Sequence, residues 1–150
     1  HHSDGTLLEE YQDQENLFHL VTTDPPYIMN AENYGSDERD LCHIKDLDVF
    51  NSKLEECLTN LKRLIKPSNF AEKRFHPIVM KVGSARRGES GLVDMSTELE
   101  IIARRLGLVL HDKVINVLDS YWGMFNVSRC IDHRYSVKVH ETNLVFVKYE

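Results

Sequence analysis

The sequence predicts an α/β protein built on a mixed sheet whose last strand runs antiparallel to its neighbours. Short apolar runs typical of buried strands alternate along the chain with longer stripes of apolar residues at helical spacing. Elements in this alternating order form sheets in which right-handed crossovers connect parallel strands. The chain has 150 residues, of which 41% are hydrophobic, and this is enough to bury one core. We therefore expect a single domain over residues 1–150.

The first half of the chain supplies one predicted strand and one predicted helix. Residues 17–22 have the length and apolar content of a buried strand, and Pro25 and Pro26 cannot continue its ladder. The polar stretch 30–48 follows and is long enough to be a functional loop. Residues 49–65 then carry an apolar helical stripe, which Pro67 stops. The stripe consists of Val49, Phe50, Leu54, Leu58, Leu61 and Ile65.

The second half supplies one helix and three strands. Residues 75–82 form the second predicted strand. Ser96 is expected to cap a helix that ends at Gly107. Residues 108–118 form the third strand, and residues 144–148 form a fourth that is expected to pair antiparallel. The apolar face of the helix consists of Leu99, Ile102, Ala103 and Leu106.

Asp24-Pro25-Pro26-Tyr27, just beyond the first strand, combines residue types that suit chemistry on a planar amine. Consecutive prolines fix the backbone and hold the Asp24 carboxylate and the Pro25 carbonyl at a set separation. Two such acceptors can take both N–H donors of an exocyclic amino group, which prepares the nitrogen lone pair for attack. Tyr27 offers a flat face on which an extruded base can stack. Ligands bind beyond the carboxyl ends of strands in open α/β sheets. A rigid turn without chemistry is the alternative.

Thr23-Asp24-Pro25-Pro26-Tyr27 after an apolar strand resembles the catalytic motif of the S-adenosylmethionine-dependent DNA amino-methyltransferases. These enzymes methylate the exocyclic nitrogen of adenine or cytosine. The resemblance implies a Rossmann-like methyltransferase fold, S-adenosylmethionine as methyl donor, DNA as partner and a site-specific methyltransferase of the restriction-modification type. It also implies that Asp24 orients the amine, that the Pro25 carbonyl accepts its second N–H and that Tyr27 stacks. In this family, Asp at the first position of the motif is associated with adenine rather than cytosine as the target base.

Four further segments are similar to segments of this family, in the family's order. Residues 3–8 resemble a Gly-Asp-x-x-x-x-Leu segment, and residues 61–69 resemble a helix end of the form Leu-Lys-Pro-Gly-Gly. Residues 79–88 resemble Val-x-Val-Gly-Asp-x-Arg, and residues 140–148 resemble the closing strand His-Glu-x-Leu-Leu-Val-Phe-x-Lys. Ser3, Ser68, Asn69 and Ser84 depart from these patterns. The resemblance places Asp4 and Thr23 beside the cofactor.

A glycine-rich cofactor segment is not recognisable in the sequence. The family carries Asp-x-Phe-x-Gly-x-Gly, whose glycines let the backbone approach the methionine part of the cofactor. None of the 7 glycines here has Gly-x-Gly spacing. We therefore expect the catalytic portion of an incomplete methyltransferase fold, with the cofactor motif outside this chain. Two alternatives stay open: a catalytically inactive methyltransferase-like binding module, and an amino-methyltransferase acting on RNA or protein.

Composition argues against several other classes of protein. The 3 cysteines show neither Cys-x-x-Cys spacing nor an even count, which argues against a disulfide framework or a zinc site. Cys42-His43 and His140-Glu141 are adjacent pairs that would point to opposite faces of a strand, so we expect no metal. No apolar run approaches the roughly 20 residues of a membrane span, and no signal peptide is recognisable. We expect a cytoplasmic protein without membrane contact, partnered by a second copy or by the remainder of a longer chain.

The net charge of −6 is unevenly distributed. Residues 1–60 contain 14 acids and 3 bases, whereas residues 61–113 contain 11 bases and 6 acids. Bases that share a face would suit phosphate contacts, although each of them alone is more often part of a solvated surface. Arg86, Arg87 and Tyr34 are the predicted DNA contacts, because Arg86 and Arg87 follow a strand at the edge that carries the catalytic turn. The basic residues considered besides these are Lys62, Arg63, Lys66, Lys73, Arg74 and Lys81.

Overall fold

A four-stranded mixed sheet with two helices on one face organises the part of the chain that the structure describes. The computed structural model describes residues 8–25, 41–44, 46–86, 92–117 and 140–150. The elements in chain order are β1 (Val21–Thr23), α1 (Leu47–Leu64), β2 (Pro77–Val82), β3 (Ser84–Arg86), β4 (Leu92–Asp94), α2 (Met95–Arg105), β5 (Val109–Val117) and β6 (His140–Val147). Single 3₁₀ turns lie at Glu9–Tyr11 and Leu41–His43.

The strand order in the main sheet is β1-β2-β6-β5. β1 and β2 are parallel, with Thr23 opposite Met80. β6 runs antiparallel to both β2 and β5, so that Thr142 lies opposite Val82 on one side and Ile115 on the other. The predicted α/β fold with an antiparallel last strand is confirmed. The carboxyl ends of β1, β2 and β5 therefore lie at one edge of the sheet, the carboxyl edge.

The core fills the space between the helices and one face of the sheet. Successive strand residues point to opposite faces, and the buried set on the central strands alternates accordingly. Phe146 is fully buried there, as is Phe50 on α1. The core positions on β2 and β6 are Ile78, Met80, Val82, Leu144 and Phe146. Lys81 lies on the other face, because it sits between two core residues of β2.

The first strand is shorter than the predicted range 17–22 and is displaced from it. Asn16 has a positive φ of 52°, and the amide of Phe18 donates to the Leu64 carbonyl at 2.9 Å. Lys66 returns a hydrogen bond to the Phe18 carbonyl. Residues 16–18 are thus tied to the end of α1, and strand pairing with β2 begins only at Val21.

Both helices lie close to their predicted ranges, but their caps differ from expectation. α1 begins at Leu47 rather than Val49, because the Asp46 carboxylate accepts hydrogen bonds from the amides of Asp48 and Val49. The prediction that Ser96 caps α2 is wrong. Asp94 is the N-cap residue, and Ser96 lies buried in the first turn with its amide donating to Asp94. The Ser96 hydroxyl donates to the Asp94 carboxylate at 2.9 Å, and the extended backbone of the cap lies at Asp94.

The hairpin of β3 and β4 lies where the sequence predicted a strand followed by a loop. Ser84 pairs with Asp94 and Arg86 with Leu92, so the chain folds back on itself before α2. β2 starts at Pro77 rather than residue 75, and β6 starts at His140, earlier than the predicted 144. Neither described helix has the length and apolar character needed to cross a bilayer.

Candidate active site

The carboxyl edge of β1 presents Asp24 to solvent. Pro25 lacks an N–H and cannot extend the pairing with β2, so the described strand ends at Thr23. The Asp24 side chain is 54% exposed, while Thr23 and Pro25 on either side are half-buried. An exposed carboxylate between two half-buried residues at a strand end is placed to accept hydrogen bonds from a bound ligand.

Asp24, Lys81 and Glu141 form an ion-pair cluster across three adjacent strands, here called the carboxylate–lysine triad. Lys81 Nζ lies 2.9 Å from Glu141 Oε2 on β6 and 3.5 Å from Asp24 Oδ2 at the end of β1. The Glu141 side chain is only 16% exposed, whereas that of Lys81 is 41% exposed. Glu141 is thus the more shielded of the two carboxylates beside Lys81.

The pKa of Lys81 lies above its ordinary value. The largest cause is its hydrogen bond to Glu141, followed by the negative charge of Asp24. Both carboxylates favour the charged ammonium. Lys81 therefore carries a proton throughout the neutral range and acts as a fixed cation rather than as a base.

A cavity of about 300 Å³ opens on the helix-bearing face at the same edge of the sheet. Its polar lining residues are Ser84, Asp94, Ser96, Lys113 and Thr142, and Val82, Gly83 and Ile115 complete it. Lys113 Nζ donates to Glu100 at 2.7 Å and to the Ser96 hydroxyl at 3.3 Å. The cavity and the triad lie on opposite faces, because Val82 and Lys81 alternate along β2.

Asp94 links several residues of the cavity wall through hydrogen bonds. Its carboxylate accepts hydrogen bonds from the hydroxyls of Thr97 at 2.8 Å, Ser96 at 2.9 Å and Ser84 at 3.2 Å. Partial burial opposes its ionised form, but these hydrogen bonds outweigh that effect and lower the pKa of Asp94. The ionised carboxylate joins β3 to the start of α2.

Most of the basic residues considered for phosphate contact are engaged within the fold. Lys62 donates to the Leu106 carbonyl and Arg63 to the Tyr11 carbonyl. Lys66 contacts His19 at 2.9 Å. Arg74 pairs with the acidic side chains of residues 72 and 150. Lys81 belongs to the triad, so these side chains do not form one free cationic face.

No protein-family model matches the chain, and no curated protein matches it either. Solved structures do. TTHA0409 from Thermus thermophilus, provisionally assigned as a DNA modification methylase, matches 99% of this chain with a TM-score of 0.67 at 19% identity. Its complex with S-adenosyl-L-methionine matches with a TM-score of 0.65 at 20% identity. The protein M1.HpyAVI matches 99% of the chain with a TM-score of 0.57 at 18% identity.

The chain shares the fold of these two proteins. It spans about half of their length, 51% of TTHA0409 and 56% of M1.HpyAVI. At this level of identity the likeness concerns the path of the backbone.

The predicted site residues are only partly within the described ranges. Thr23, Asp24 and Pro25 lie together at the carboxyl edge of β1. Arg86 ends β3, and its side chain is outside the description. Asp4, Pro26, Tyr27, Tyr34 and Arg87 lie outside the described residues. Within the described ranges, no group of three or more His, Cys, Asp or Glu side chains could hold a metal ion.

Sequence reasoning missed the contact between Lys81 and Glu141. It considered Lys81 for phosphate contact, and Glu141 as part of a strand motif and of a rejected metal pair. One signal could have found Lys81: it is the single charged residue in Pro77–Val82, a strand that otherwise contains apolar residues. A charge at that position of a central strand needs a partner on a neighbouring strand. The identity of that partner depends on the strand order, which places β1 and β6 on either side of β2.

Proposed function

We propose that this chain is the catalytic portion of an S-adenosylmethionine-dependent DNA methyltransferase that acts on an exocyclic amino group, with adenine favoured over cytosine. The observation that carries the proposal is the exposed Asp24 carboxylate, which directly precedes Pro25 at the carboxyl edge. The fold shared with a provisional DNA modification methylase supports it. Complexes of TTHA0409 and M1.HpyAVI with the methyl donor support the choice of cofactor.

Asp24 and Pro25 would act on the amino group of a flipped base. The Asp24 carboxylate accepts one N–H and the Pro25 carbonyl accepts the other, so electron density shifts toward the nitrogen and its lone pair becomes available. Tyr27 stacks on the base, and Pro26 fixes the backbone between them. A nitrogen–carbon bond forms as the carbon–sulfur bond to the methyl group breaks. Because Asp24 is exposed, the surplus proton on nitrogen can leave to water.

The described residues would supply only part of the cofactor site. S-adenosylmethionine, when bound, provides an electrophilic methyl group. Thr23 is half-buried next to Asp24 at the carboxyl edge, which fits a hydroxyl contact to a ligand there. Asp4 is the second proposed contact. Neither residue replaces a Gly-x-Gly segment, which the sequence lacks. The DNA contacts we propose are Arg86, Arg87 and Tyr34.

Substitution of Asp24 tests the proposal. In Asp24→Ala we expect methyl transfer to DNA to fall at least about 100-fold, because the carboxylate acceptor aimed at the developing positive charge is lost. Asp24→Asn should be similarly impaired, since the amide adds a donor where only acceptors are useful. Transfer of a labelled methyl group to duplex DNA is the measurement. Asp13→Asn, an exposed residue in a surface turn, is the matched control.

Near-normal activity in Asp24→Ala would show the assigned mechanism to be wrong. The melting temperature of each variant, followed by circular dichroism, separates lost chemistry from lost folding. Because the Asp24 side chain is more than half exposed, we expect little change in that temperature.

A catalytically inactive binding module is the second candidate, favoured by the missing glycine segment. The missing glycine segment is also compatible with an enzyme in which residues outside this chain complete the cofactor site. Calorimetric titration of S-adenosylmethionine into the chain distinguishes the two candidates. Measurable binding supports an enzyme, whereas a folded chain that gives no binding heat supports the module. Assaying RNA and protein acceptors beside DNA covers the remaining alternative substrates.

A further inference from the structure

We infer that Lys81 is a positioning residue for Asp24, and that Glu141 holds Lys81 in place for this task. The inference rests on the proposed function and adds to it two residues that act through Asp24 rather than on the substrate. It concerns the carboxylate–lysine triad on the sheet face that carries neither described helix.

Strand pairing brings the three side chains together. Thr23 lies opposite Met80, so Asp24 follows at the level of Lys81 on the neighbouring strand. Lys81 in turn lies opposite Asn143 on β6, and Glu141 is two residues along on the same face. The triad thus spans β1, β2 and β6, and a displacement of Lys81 would reach Asp24 directly.

The two distances assign different roles to the two carboxylates. Glu141 is the closer and more shielded partner, at 2.9 Å, and anchors the ammonium. Asp24 is the more distant partner, at 3.5 Å through Oδ2, and keeps most of its surface for other contacts. The ammonium occupies the Oδ2 side, and we expect Oδ1 to accept the substrate N–H.

The charges facing Asp24 from the described neighbouring strands are few. β2 contributes Lys81, and β6 contributes Glu141. On β5, Asn116 lies opposite Glu141 and is neutral. Among the described groups on these strands, Lys81 is therefore the charged side chain that contacts Asp24.

The first test follows the chemical shift of the Asp24 side-chain carboxyl carbon by NMR at neutral pH. In Lys81→Met this shift should change, because the ammonium that contacts Oδ2 has been removed. Glu141→Gln should change it less, because Lys81 remains and only its anchor is weakened. Lys81→Arg should keep the shift close to that of the wild type. Lys53→Met, which removes an exposed ion pair with Glu56 on α1, is the matched control and should not move it.

The second test uses methyl transfer by the full chain. Lys81→Met should lower kcat about 10-fold through misplacement of Asp24, with KM for S-adenosylmethionine unchanged. Lys53→Met should retain wild-type kcat. Melting temperatures should change little in Lys81→Met and Lys53→Met, because both lysine side chains are substantially exposed and ion pairs of exposed lysines contribute little to stability.

The outcomes separate the two proposals. An unchanged chemical shift of the Asp24 carboxyl carbon in Lys81→Met overturns the inference. Equal activity in Lys81→Met and wild type, beside an inactive Asp24→Ala, overturns it as well and leaves the proposed function standing. An active Asp24→Ala overturns the proposed function itself, whatever the NMR spectra show.

Discussion

Asp94 is the residue whose hydrogen bonds hold the start of α2, and its removal should be costly. In Asp94→Ala we expect the free energy of unfolding to fall by about 1–2 kcal/mol, because three hydroxyls and the Ser96 amide lose one acceptor. Asp46→Ala removes a cap that serves only two backbone amides and should cost less. Urea denaturation of both variants measures the difference. Equal costs would contradict a role for the hydroxyl contacts.

The same side chain predicts a pH dependence. The pKa of Asp94 is lowered in the folded protein. The ionised form therefore stabilises the fold above the carboxyl's ordinary value near about 4, and this contribution is lost as the pH falls through the lower folded value. The stability gap between wild type and Asp94→Ala should narrow under acid conditions. A gap that stays constant from neutral pH down to pH values near about 2 would contradict this assignment.

Among individual residues, the sequence could predict the exposed position of Asp24 but not the residues that contact it. Asp24 stands next to two prolines, so its exposure at a strand end follows from local chemistry alone. Lys81 and Glu141 are 60 residues apart in the chain, and their contact depends on β6 lying beside β2. The residues next to Lys81 and Glu141 in the sequence do not indicate that these two strands pair. The role of Asp24 in catalysis stays a prediction.

The end of α2 is a Schellman motif, and Gly107 is the residue that allows it. The Leu108 amide donates to the Ala103 carbonyl, the Gly107 amide donates to the Arg104 carbonyl, and Gly107 has a φ of 74°. A Cβ at Gly107 would meet Lys62 Nζ at 3.6 Å, an ordinary contact, so space is not the constraint.

Substitution of Gly107 should therefore report backbone strain alone. We expect Gly107→Ala to lower the free energy of unfolding by about 1 kcal/mol, and Gly107→Asn to lower it less, because Asn tolerates the left-handed region better. Chemical denaturation measures both. A larger loss in Asn than in Ala would point to crowding against Lys62 instead.

Helices and strands could be predicted well where apolar periodicity is strong. They could be predicted poorly where hydrogen bonds determine the end of an element. The stripe of α1 and the stop at Gly107 were visible in the sequence and are confirmed. The hairpin of β3 and β4 was missed because each strand has only 3 residues, too few for a period of two to show. The Ser96 cap was wrong because Asp94, two residues earlier, has the extended backbone of an N-cap and a carboxylate that accepts from the Ser96 amide.

For the whole molecule, the class of fold followed from element order, but the order of strands did not. The sequence predicted that the last strand is antiparallel, and this is confirmed. Its insertion between β2 and β5 brings residues 77–82 and 140–147 together. With β6 in this position, its apolar residues pack in the same core as those of α1 and α2, and Glu141 lies beside Lys81. Both the core and the triad therefore depend on a long-range pairing.

The distribution of charge over the whole chain predicts how it should bind DNA. The net charge is −6, and most candidate bases are paired internally, so non-specific attraction to phosphate should be weak. Arg86 and Arg87 are then the proposed phosphate contacts. In the double variant Arg86→Ala/Arg87→Ala, the slope of log affinity against log salt should decrease in magnitude by about 2. Fluorescence anisotropy with labelled duplex DNA at several salt concentrations measures it. The matched control is Arg104→Ala/Arg105→Ala at the end of α2, which removes the same charge and should leave the salt slope at its wild-type value. Equal salt slopes for the two double variants would show that only net charge matters.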